Sequence, residues 1–266
     1  MSFAERYGPW AVIAGASEGT GREFAKQIAA EGVSLILLAR RTGPLEDLAA
    51  EIRKTGVEVV TASVDLAWPD AAEQIVEVVG DREVGLYVNN AGADPNGSRF
   101  LDKDLQAWVD LAQRNVMTTL KSAYHFAGPM RARRRGGLLL VNSGACYGGG
   151  SFMATYSASK AFDLVFAEGL WAELKDHGVD VLTLVMGQTD TPAYRALLAE
   201  KGLPLPEHWA SPADVARTGL AQLPHGPIFN WGQANDVAGY APNSPDARRA
   251  RIAMIDQHSR STFGEG

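Results

Sequence analysis

The chain is poor in cysteine, histidine and long apolar runs, and each shortage excludes a class of protein. Cys146 is the only cysteine among 266 residues, which excludes an internal disulfide and a cysteine-based zinc site. The five histidines show no ligand spacing, so no catalytic metal is expected. No run approaches the roughly 20 apolar residues that a membrane span requires. The segment Met1 to Pro9 also lacks a long apolar stretch, so no secretory signal is expected and the cytoplasm is the predicted location.

Positive charge is also in short supply. The 25 lysines and arginines are outnumbered by 31 acidic residues, which gives a net charge of −6 and no reason to expect a nucleic-acid partner. The one basic run, from Arg131 to Arg135, has no interleaved aromatic residues. A nucleic-acid patch is one interpretation of this run, and a solvated helix C-terminus favoured by the helix dipole is the preferred one. A small-molecule partner is therefore predicted, with neither nucleic acid nor membrane.

Apolar strand-like runs alternate with amphipathic helical patterns along the whole chain. The predicted strands are 10–14, 33–38, 57–62, 84–88, 137–142, 179–184 and 226–230, and the predicted helices are 19–31, 43–54, 69–80, 103–134, 152–177 and 211–222. This alternation predicts an α/β fold, namely a doubly wound, mostly parallel seven-stranded sheet of Rossmann type with helices on both faces. The length suits a single domain over residues 1–266. Ligands of such a sheet bind beyond the carboxyl ends of its strands.

A glycine-rich turn follows the first predicted strand. Residues 15–21 read Gly-Ala-Ser-Glu-Gly-Thr-Gly, and a helical pattern begins at Arg22. Strand, glycine turn and helix together direct backbone N–H groups and a helix N-terminus towards a phosphate. Gly15 permits the tight turn, Gly19 allows close approach of the pyrophosphate, and Gly21 allows the helix to pack on the strand. A turn without a ligand is the alternative, and the second strand, which completes a βαβ unit, favours a dinucleotide site.

Tyr156 and Lys160 are spaced to act together. Four positions apart in a helix, their side chains lie on one face. A phenol normally loses its proton near pH 10, too high for acid–base work near neutrality, and a neighbouring ammonium favours the phenolate. The pair therefore predicts a tuned proton donor, although the pattern is weak without its context.

The context resembles the short-chain dehydrogenase/reductase family. The family pattern of Gly-x-x-x-Gly-x-Gly, Asn-Asn-Ala-Gly, Ser and Tyr-x-x-x-Lys occurs in order at Gly15–Gly21, Asn89–Gly92, Ser143 and Tyr156–Lys160, and the resemblance spans about residues 8 to 192. Two departures concern cofactor affinity more than chemistry. Ala14 replaces the usual Thr of the turn, and Met186 replaces the usual Pro before Gly187.

The resemblance implies four catalytic residues. Tyr156 would be the general acid/base, and Lys160 would tune it and bind the nicotinamide ribose. Ser143 would orient the substrate oxygen, and Asn115 would hold a water in the proton relay. Each residue also has an alternative when taken singly. Tyr156 and Lys160 could be a phenol and an ammonium at the surface, Ser143 could be a turn residue at a strand end, and Asn115 could cap a helix kink. The implied cofactor contacts are Gly15, Ser17, Glu18, Gly19, Thr20, Gly21, Arg40, Arg41, Asp65, Leu66, Asn89, Asn90, Ala91, Gly92, Tyr156, Lys160, Gly187, Thr189 and Thr191.

The end of the second predicted strand predicts the cofactor. An NAD-preferring site usually has an acid there for the ribose 2′-hydroxyl, whereas this chain has Ala39 followed by Arg40 and Arg41. Because a guanidinium matches phosphate geometry, NADP(H) is predicted in preference to NAD(H). Two solvated arginines are the alternative, and the anionic Glu18 weighs against a 2′-phosphate. The resemblance implies that Asp65 lies near the adenine amino group, and an Asp that caps the next helix is the alternative.

The sequence thus predicts an NADP(H)-dependent oxidoreductase that interconverts a ketone or aldehyde and an alcohol. A non-catalytic dinucleotide-binding regulator and an NAD(P)-assisted epimerase or lyase are the alternatives. A proline-rich segment at about 190–212 is expected to form a substrate lid. Thr191-Pro192 also fits a helix start, and this role is compatible with the contact of Thr191 to the nicotinamide amide that the resemblance implies. The resemblance further implies a homodimer or homotetramer paired through the helices at 103–134 and 152–177. The candidate substrate contacts are Ala145, Tyr147, Phe152, Met153 and Trp209.

Overall fold

The predicted sheet is present and is parallel throughout the described residues. The computed structural model describes residues 1–94 and 96–231, together with Met254, Gln257 and residues 260–262. Seven strands pair in the order β3-β2-β1-β4-β5-β6-β7, each parallel to its neighbours. Each lies where the sequence predicts it, with ends that differ by one or two residues. The strands are β1 Trp10–Ala14, β2 Ser34–Ala39, β3 Val59–Ser63, β4 Val84–Asn89, β5 Gly136–Ser143, β6 Val179–Met186 and β7 Ile228–Trp231.

The strand order reverses between β1 and β4, and this switch point positions the site. Strands β1 to β3 run outward on one side, and β4 to β7 run outward on the other. Ala14 at the end of β1 is in register with Leu38 of β2 and Asn89 of β4. Ser143 is likewise in register with Met186 at the end of β6. The loops that carry the predicted site residues therefore leave the sheet along one edge, where doubly wound sheets bind ligands.

Helices cover both faces and bury two apolar cores. One core joins the odd-numbered positions of β1 and β2 to residues such as Phe24, Leu48 and Val215, and the other joins their even-numbered positions to Phe126 and Leu174. The α-helices are α1 Phe3–Tyr7, α2 Gly19–Ala30, α3 Thr42–Arg53, α4 Ala71–Val79, α5 Leu105–Ala112, α6 Thr118–Ala132, α7 Ala154–Leu174, α8 Pro192–Glu200 and α9 Pro212–Gln222. The sequence did not predict α1, whose five residues are too few to show periodicity.

The prediction of one helix over 103–134 is wrong in its interior. A 3₁₀ turn at Phe100–Asp102 precedes α5, and a π-helical segment at Gln113–Met117 joins α5 to α6. The wider turn carries Asn115, which is buried to 1% exposure. Helix continues on both sides of this segment without a break, so the pattern predicted a single helix.

The basic run at the end of α6 bonds to the protein itself. The Arg133 guanidinium donates to the carbonyl of Val84, and Arg134 Nη2 donates to the carbonyl of Asp176 at 2.7 Å. Arg135 pairs with Glu83. These contacts fit the prediction of a helix C-terminus. Among the described residues, no helix combines the length and the apolar character needed to cross a membrane.

Candidate active site

One large cavity lies at the carboxyl edge of the sheet, above the switch point. Its volume is about 1050 Å³, and it extends from the glycine turn to the start of α7. A pocket of this size holds a ligand larger than a typical small substrate. Most of the residues that the sequence nominated as cofactor-binding or catalytic line it: Gly15, Ser17, Glu18, Gly19, Thr20, Arg40, Arg41, Asp65, Leu66, Asn90, Ala91, Gly92, Ser143, Tyr156, Lys160, Gly187, Thr189 and Thr191.

The glycine turn is packed so tightly that side chains do not fit. Gly15 has φ +81°, and a β-carbon there would lie 2.9 Å from the Ala91 nitrogen. A β-carbon on Gly21 would lie 2.0 Å from the Gly15 oxygen, which also accepts a hydrogen bond from Asn90 Nδ2 at 2.9 Å. Glu18, at the N-cap of α2, makes no side-chain cap. Gly19 and Thr20 of the first turn of α2 line the cavity, so a helix N-terminus without a side-chain cap lies at its wall, which is the arrangement that binds a pyrophosphate.

Arginines cluster at the far end of the cavity, beyond β2. Arg41 Nη2 lies 2.5 Å from Glu18 Oε2, so the Glu18 charge is already paired. In the described part of the chain, the Arg40 side chain makes no hydrogen bond or ion pair. Arg114, from the π-helical segment, lines the same cavity and was not predicted, because the bulge that turns it inward leaves no periodic signal. Burial and the nearby Arg40 charge lower the pKa of Arg114.

Asp65 has two tasks in this region. It lines the cavity beside Leu66, as the sequence predicts. Its Oδ1 also accepts a hydrogen bond from the Ala67 nitrogen at 3.0 Å within a local turn, whereas the N-cap of the next helix, α4, is Asp70 rather than Asp65. The two roles are compatible, because a carboxylate has a second oxygen.

The catalytic candidates meet at the opposite end. Tyr156 lies in the first turn of α7, Lys160 lies one turn later, and Ser143 ends β5. All three line the cavity. Ser143 Oγ accepts a hydrogen bond from the Ala145 nitrogen at 3.3 Å, and its own proton remains to be donated to a substrate oxygen.

Lys160 is held by two acceptors below the cavity floor. Its Nζ donates to the Val141 carbonyl and to Asp163 Oδ2, each at 3.0 Å. Burial acts to lower the pKa of Lys160, but the Asp163 carboxylate and then Tyr156 act in the opposite direction and leave it raised. Asp163 was not predicted, although its spacing of three residues from Lys160 along one helix was an available signal.

Asn115 and Asn89 lie in a layer behind the cavity wall and do not line it. Asn115 Nδ2 donates to Ser159 Oγ at 3.0 Å and to the Gly92 carbonyl at 3.4 Å. The main-chain carbonyl of Asn115 accepts the Thr119 hydroxyl at 2.9 Å. That hydroxyl in turn accepts from Asn89 Nδ2 at 2.7 Å. The two amides therefore brace the strand end and the loop that faces the cavity.

Only some of the substrate candidates reach the cavity. Ala145, Tyr147 and Met153 line it, whereas Phe152 and Trp209 do not. Phe152 has φ +67°, and the Arg99 guanidinium lies 5.0 Å from its ring centroid. The Trp209 ring is covered by the Arg195 guanidinium at 4.6 Å. In both cases the half-buried ring lies against a guanidinium outside the cavity.

Helix α8, inside the predicted lid segment, forms a wall of the cavity. Thr191 is its N-cap and accepts a hydrogen bond from the Tyr194 nitrogen at 3.2 Å, with Pro192 in the first turn. Thr191 therefore starts a helix, and because it also lines the cavity, the cofactor contact implied by the resemblance is compatible with this role. Sequence reasoning missed this wall, although the spacing of its residues is helical. The wall residues are Ala193, Tyr194, Ala196, Leu197 and Glu200.

Comparison with known proteins agrees with this geometry. The family model described as short chain dehydrogenase matches residues 9–202. A 7β-hydroxysteroid dehydrogenase of Clostridium sardiniense is 32% identical over 228 residues, which cover 84% of this chain and 85% of that protein. A very-long-chain 3-oxoacyl-CoA reductase of Neurospora crassa is 31% identical over 249 residues, which cover 88% of this chain and 75% of that protein.

Solved structures share the fold. A 7β-hydroxysteroid dehydrogenase superposes with a TM-score of 0.81 at 29% identity, covering 88% of this chain and 91% of that one. A short-chain dehydrogenase from Sphingobium yanoikuyae, solved with NADPH, superposes with a TM-score of 0.75 at 24% identity, covering 95% of each chain, and at this identity the likeness concerns the fold alone. The chain thus belongs to the short-chain dehydrogenase/reductase family, and it is an oxidoreductase that acts on CH–OH and C=O groups with a nicotinamide cofactor.

Proposed function

We propose that this oxidoreductase interconverts a bulky ketone and the corresponding alcohol with NADP(H), using Tyr156 as general acid and base. The single observation that carries the proposal is that Tyr156, Lys160 and Ser143 line the same cavity as the glycine turn. A proton donor and a dinucleotide site in one crevice are the two parts that carbonyl reduction requires.

Each of these residues has a distinct task in the proposed reaction. The nicotinamide, when bound, supplies or accepts the hydride. The Ser143 hydroxyl hydrogen-bonds to the substrate oxygen and fixes its orientation. Tyr156 gives its phenolic proton to that oxygen as negative charge develops during reduction, and takes the proton back during oxidation. The Lys160 ammonium favours the phenolate that remains on Tyr156.

Replacing the phenolic hydroxyl tests this assignment. Tyr156→Phe should lower kcat for ketone reduction by about 100- to 10,000-fold, the usual contribution of a positioned general acid. Tyr124→Phe is the matched control, because Tyr124 lies on the outer face of α6 with 85% exposure. Dinucleotide binding, followed by quenching of tryptophan fluorescence, should survive in both variants. Near-normal turnover in Tyr156→Phe would refute the proton-donor role.

The proposed preference for NADP(H) is supported by the charges at the end of β2. Arg40 lines the cavity, is exposed and makes no ion pair within the described residues, so its guanidinium is available to a phosphate. The Glu18 carboxylate would repel a 2′-phosphate, but it pairs with Arg41, whose Nη2 lies 2.5 Å from Glu18 Oε2.

Arg40→Ala tests the cofactor preference. Losing a charge-assisted hydrogen bond costs about 1.5–3 kcal/mol, so the Kd for NADPH should rise about 10- to 100-fold while that for NADH changes little. Arg217→Ala is the control, because Arg217 is an exposed arginine on α9 that pairs only with Asp214 among the described residues. Equal losses for the two cofactors would contradict a contact with the 2′-phosphate.

The proposed substrate is bulky and mostly apolar. Beyond Tyr156 the cavity wall carries Tyr147, Met153, Ala193 and Leu197. Two relatives are named for steroid and very-long-chain acyl substrates, which share that character. A screen of hydroxysteroids, 3-oxoacyl thioesters and small ketones against both cofactors tests the class. Preference for the small ketones, or product formation without net change in the cofactor, would contradict it.

We also propose that the active protein is a homodimer or homotetramer paired through α5, α6 and α7. The outer faces of these helices expose large apolar residues, which a monomer usually buries. They are Leu105, Val109, Leu120, Tyr124 and Val165.

A further inference from the structure

A buried carboxylate lies directly behind the catalytic pair. The side chains of Lys160 and Asp163 are 4% and 1% exposed, and Nζ lies 3.0 Å from Oδ2. The general mechanism of carbonyl reduction gives Asp163 no task. Asp163 Oδ1 has no hydrogen-bond partner among the described residues, so the carboxylate is oriented by Lys160 rather than by a network of its own. A buried carboxylate is costly unless an opposite charge pairs with it, and here that charge is the Lys160 ammonium.

The lysine has few donors to share. An ammonium has three N–H groups, and here one goes to the Val141 carbonyl and one to Asp163. A single N–H therefore remains for the crevice that contains Tyr156. Gly92 closes the other side, because a β-carbon there would lie 2.7 Å from Nζ. The position of the ammonium is thus fixed, and its charge is divided between a carboxylate and a phenol.

The other titratable groups around this pair are neutral near pH 7. Cys146, on the 3₁₀ turn after β5, faces Lys160, and burial raises the pKa of its thiol to about 12. Tyr87 of β4 faces Asp163, and burial likewise raises the pKa of its phenol. The pair itself carries the charges on α7, next to Tyr156: burial raises the pKa of the Asp163 carboxyl, and the Lys160 ammonium, 3.0 Å away, acts to lower it. Among the described residues, Asp163 is thus the carboxylate that interacts electrostatically with the Lys160 ammonium.

We propose that Asp163 is a positioning residue that shares the Lys160 ammonium with Tyr156 and so keeps the phenol loaded with its proton. A carboxylate and a phenolate compete for one positive charge, and a negative neighbour disfavours a second negative charge. Asp163 therefore biases the site towards the protonated phenol, which is the form that reduction consumes. The inference rests on the proposed function, because it assumes that Tyr156 is the proton donor.

Removing the carboxylate tests the proposal in two ways. In Asp163→Asn, the alkaline limb of the pH profile for ketone reduction should move to lower pH by about 1 unit, the lower end of the range for a close charge, because Asp163 acts through Lys160. The tyrosinate absorbance of residue 156, obtained as the difference between each protein and its Tyr156→Phe counterpart, should appear at lower pH by a similar amount. Asp163→Glu retains the charge and should restore most of both shifts.

The controls separate this role from stability and from the proposed function. Glu168→Gln removes an exposed charge from the same helix and should move neither curve. Asp163→Ser provides the same measurement if Asp163→Asn does not fold. Curves that coincide with the wild type, or a tyrosinate that appears at higher pH, would overturn the proposal. The absorbance titration needs no substrate, so failure of every ketone in the wild type would count against the proposed function alone.

Discussion

At Gly21 a hydrogen atom occupies the place that a β-carbon takes in other residues. The position lies one layer behind the cavity, where the first turn of α2 crosses the chain leaving β1. The Gly15 oxygen and Asn90 Nδ2 would lie 2.0 and 2.6 Å from an added β-carbon. Both are fixed by their mutual hydrogen bond, so neither moves away at small cost. Gly21, the third glycine of the turn, is therefore required for packing. Because a side chain there would displace Gly15, it is also required for the shape of the cofactor site.

We predict that Gly21→Ala destabilises the protein and weakens dinucleotide binding together. Overpacking should cost about 1–3 kcal/mol in the free energy of unfolding, and displacement of the Gly15 carbonyl should raise the Kd for NADPH. Gly43→Ala is the matched control, since its added carbon meets no atom within 4 Å. Denaturant unfolding and fluorescence titration provide the two measurements. A Gly21→Ala variant with normal stability and affinity would show that the turn is free to move.

The nominated residues that line the cavity are those whose positions follow from a strand end. Arg40, Asp65 and Gly187 follow parallel strands and Ser143 ends one, so their shared edge is fixed once the strands are found. Arg114 and Asp163 lie inside helices, where only the angular position decides which side chain faces inward. For Arg114 that angle depends on the π-helical segment, and for Asp163 it depends on how α7 packs. The spacing of hydrophobic residues reveals neither.

Among the helices, α8 has a start that its sequence specifies and a face that lines the cavity. The Thr-Pro pair at 191–192 supplies an N-cap and a first-turn proline, and the helix then presents one face to the cavity. Prolines 204 and 206 follow beyond its end. The sequence therefore predicted a helix start at the right place but not the extent of the helix, because the segment was interpreted as an irregular lid from its prolines.

We predict that Thr191→Ala impairs substrate binding beyond its effect on stability. Losing the cap should cost about 1 kcal/mol and loosen the wall that α8 provides. Ser211→Ala removes the equivalent cap of α9, where Ser211 accepts from the Asp214 nitrogen outside the cavity, and should cost similar stability. KM for the ketone should rise in Thr191→Ala and stay constant in Ser211→Ala. Equal KM values would mean that α8 keeps its place without its cap.

For the whole molecule, the sheet and its two cores follow from the alternation of strands and helices, whereas the strand order does not. Periodicity makes every parallel order equally acceptable, and only the pairing of β1 with β4 creates the crevice. The same limit applies to assembly. The sequence shows small residues on α7, but which of them face outward depends on packing: Ala167 is fully buried, while a β-carbon on Gly169 would meet open space.

The outer face of α7 gives the last prediction. Val165 is 65% exposed and lies in a shallow apolar groove with Phe162, Phe166 and Leu170. In a two-fold interface each substituted residue counts twice, and an unpaired carboxylate buried there costs about 3 kcal/mol or more, which is over 100-fold in Kd. Val165→Glu should therefore shift the protein to a monomer in light scattering after gel filtration.

Leu205→Glu places the same charge on another exposed apolar residue and should leave the assembly intact. The two variants differ only in location, so a difference between them assigns the interface to α7. A wild-type protein that elutes as a monomer, or a Val165→Glu variant that assembles normally, would contradict pairing through this face. The exposed apolar residues of α5 to α7 would then require another partner, because a monomer gains nothing from exposing them to water.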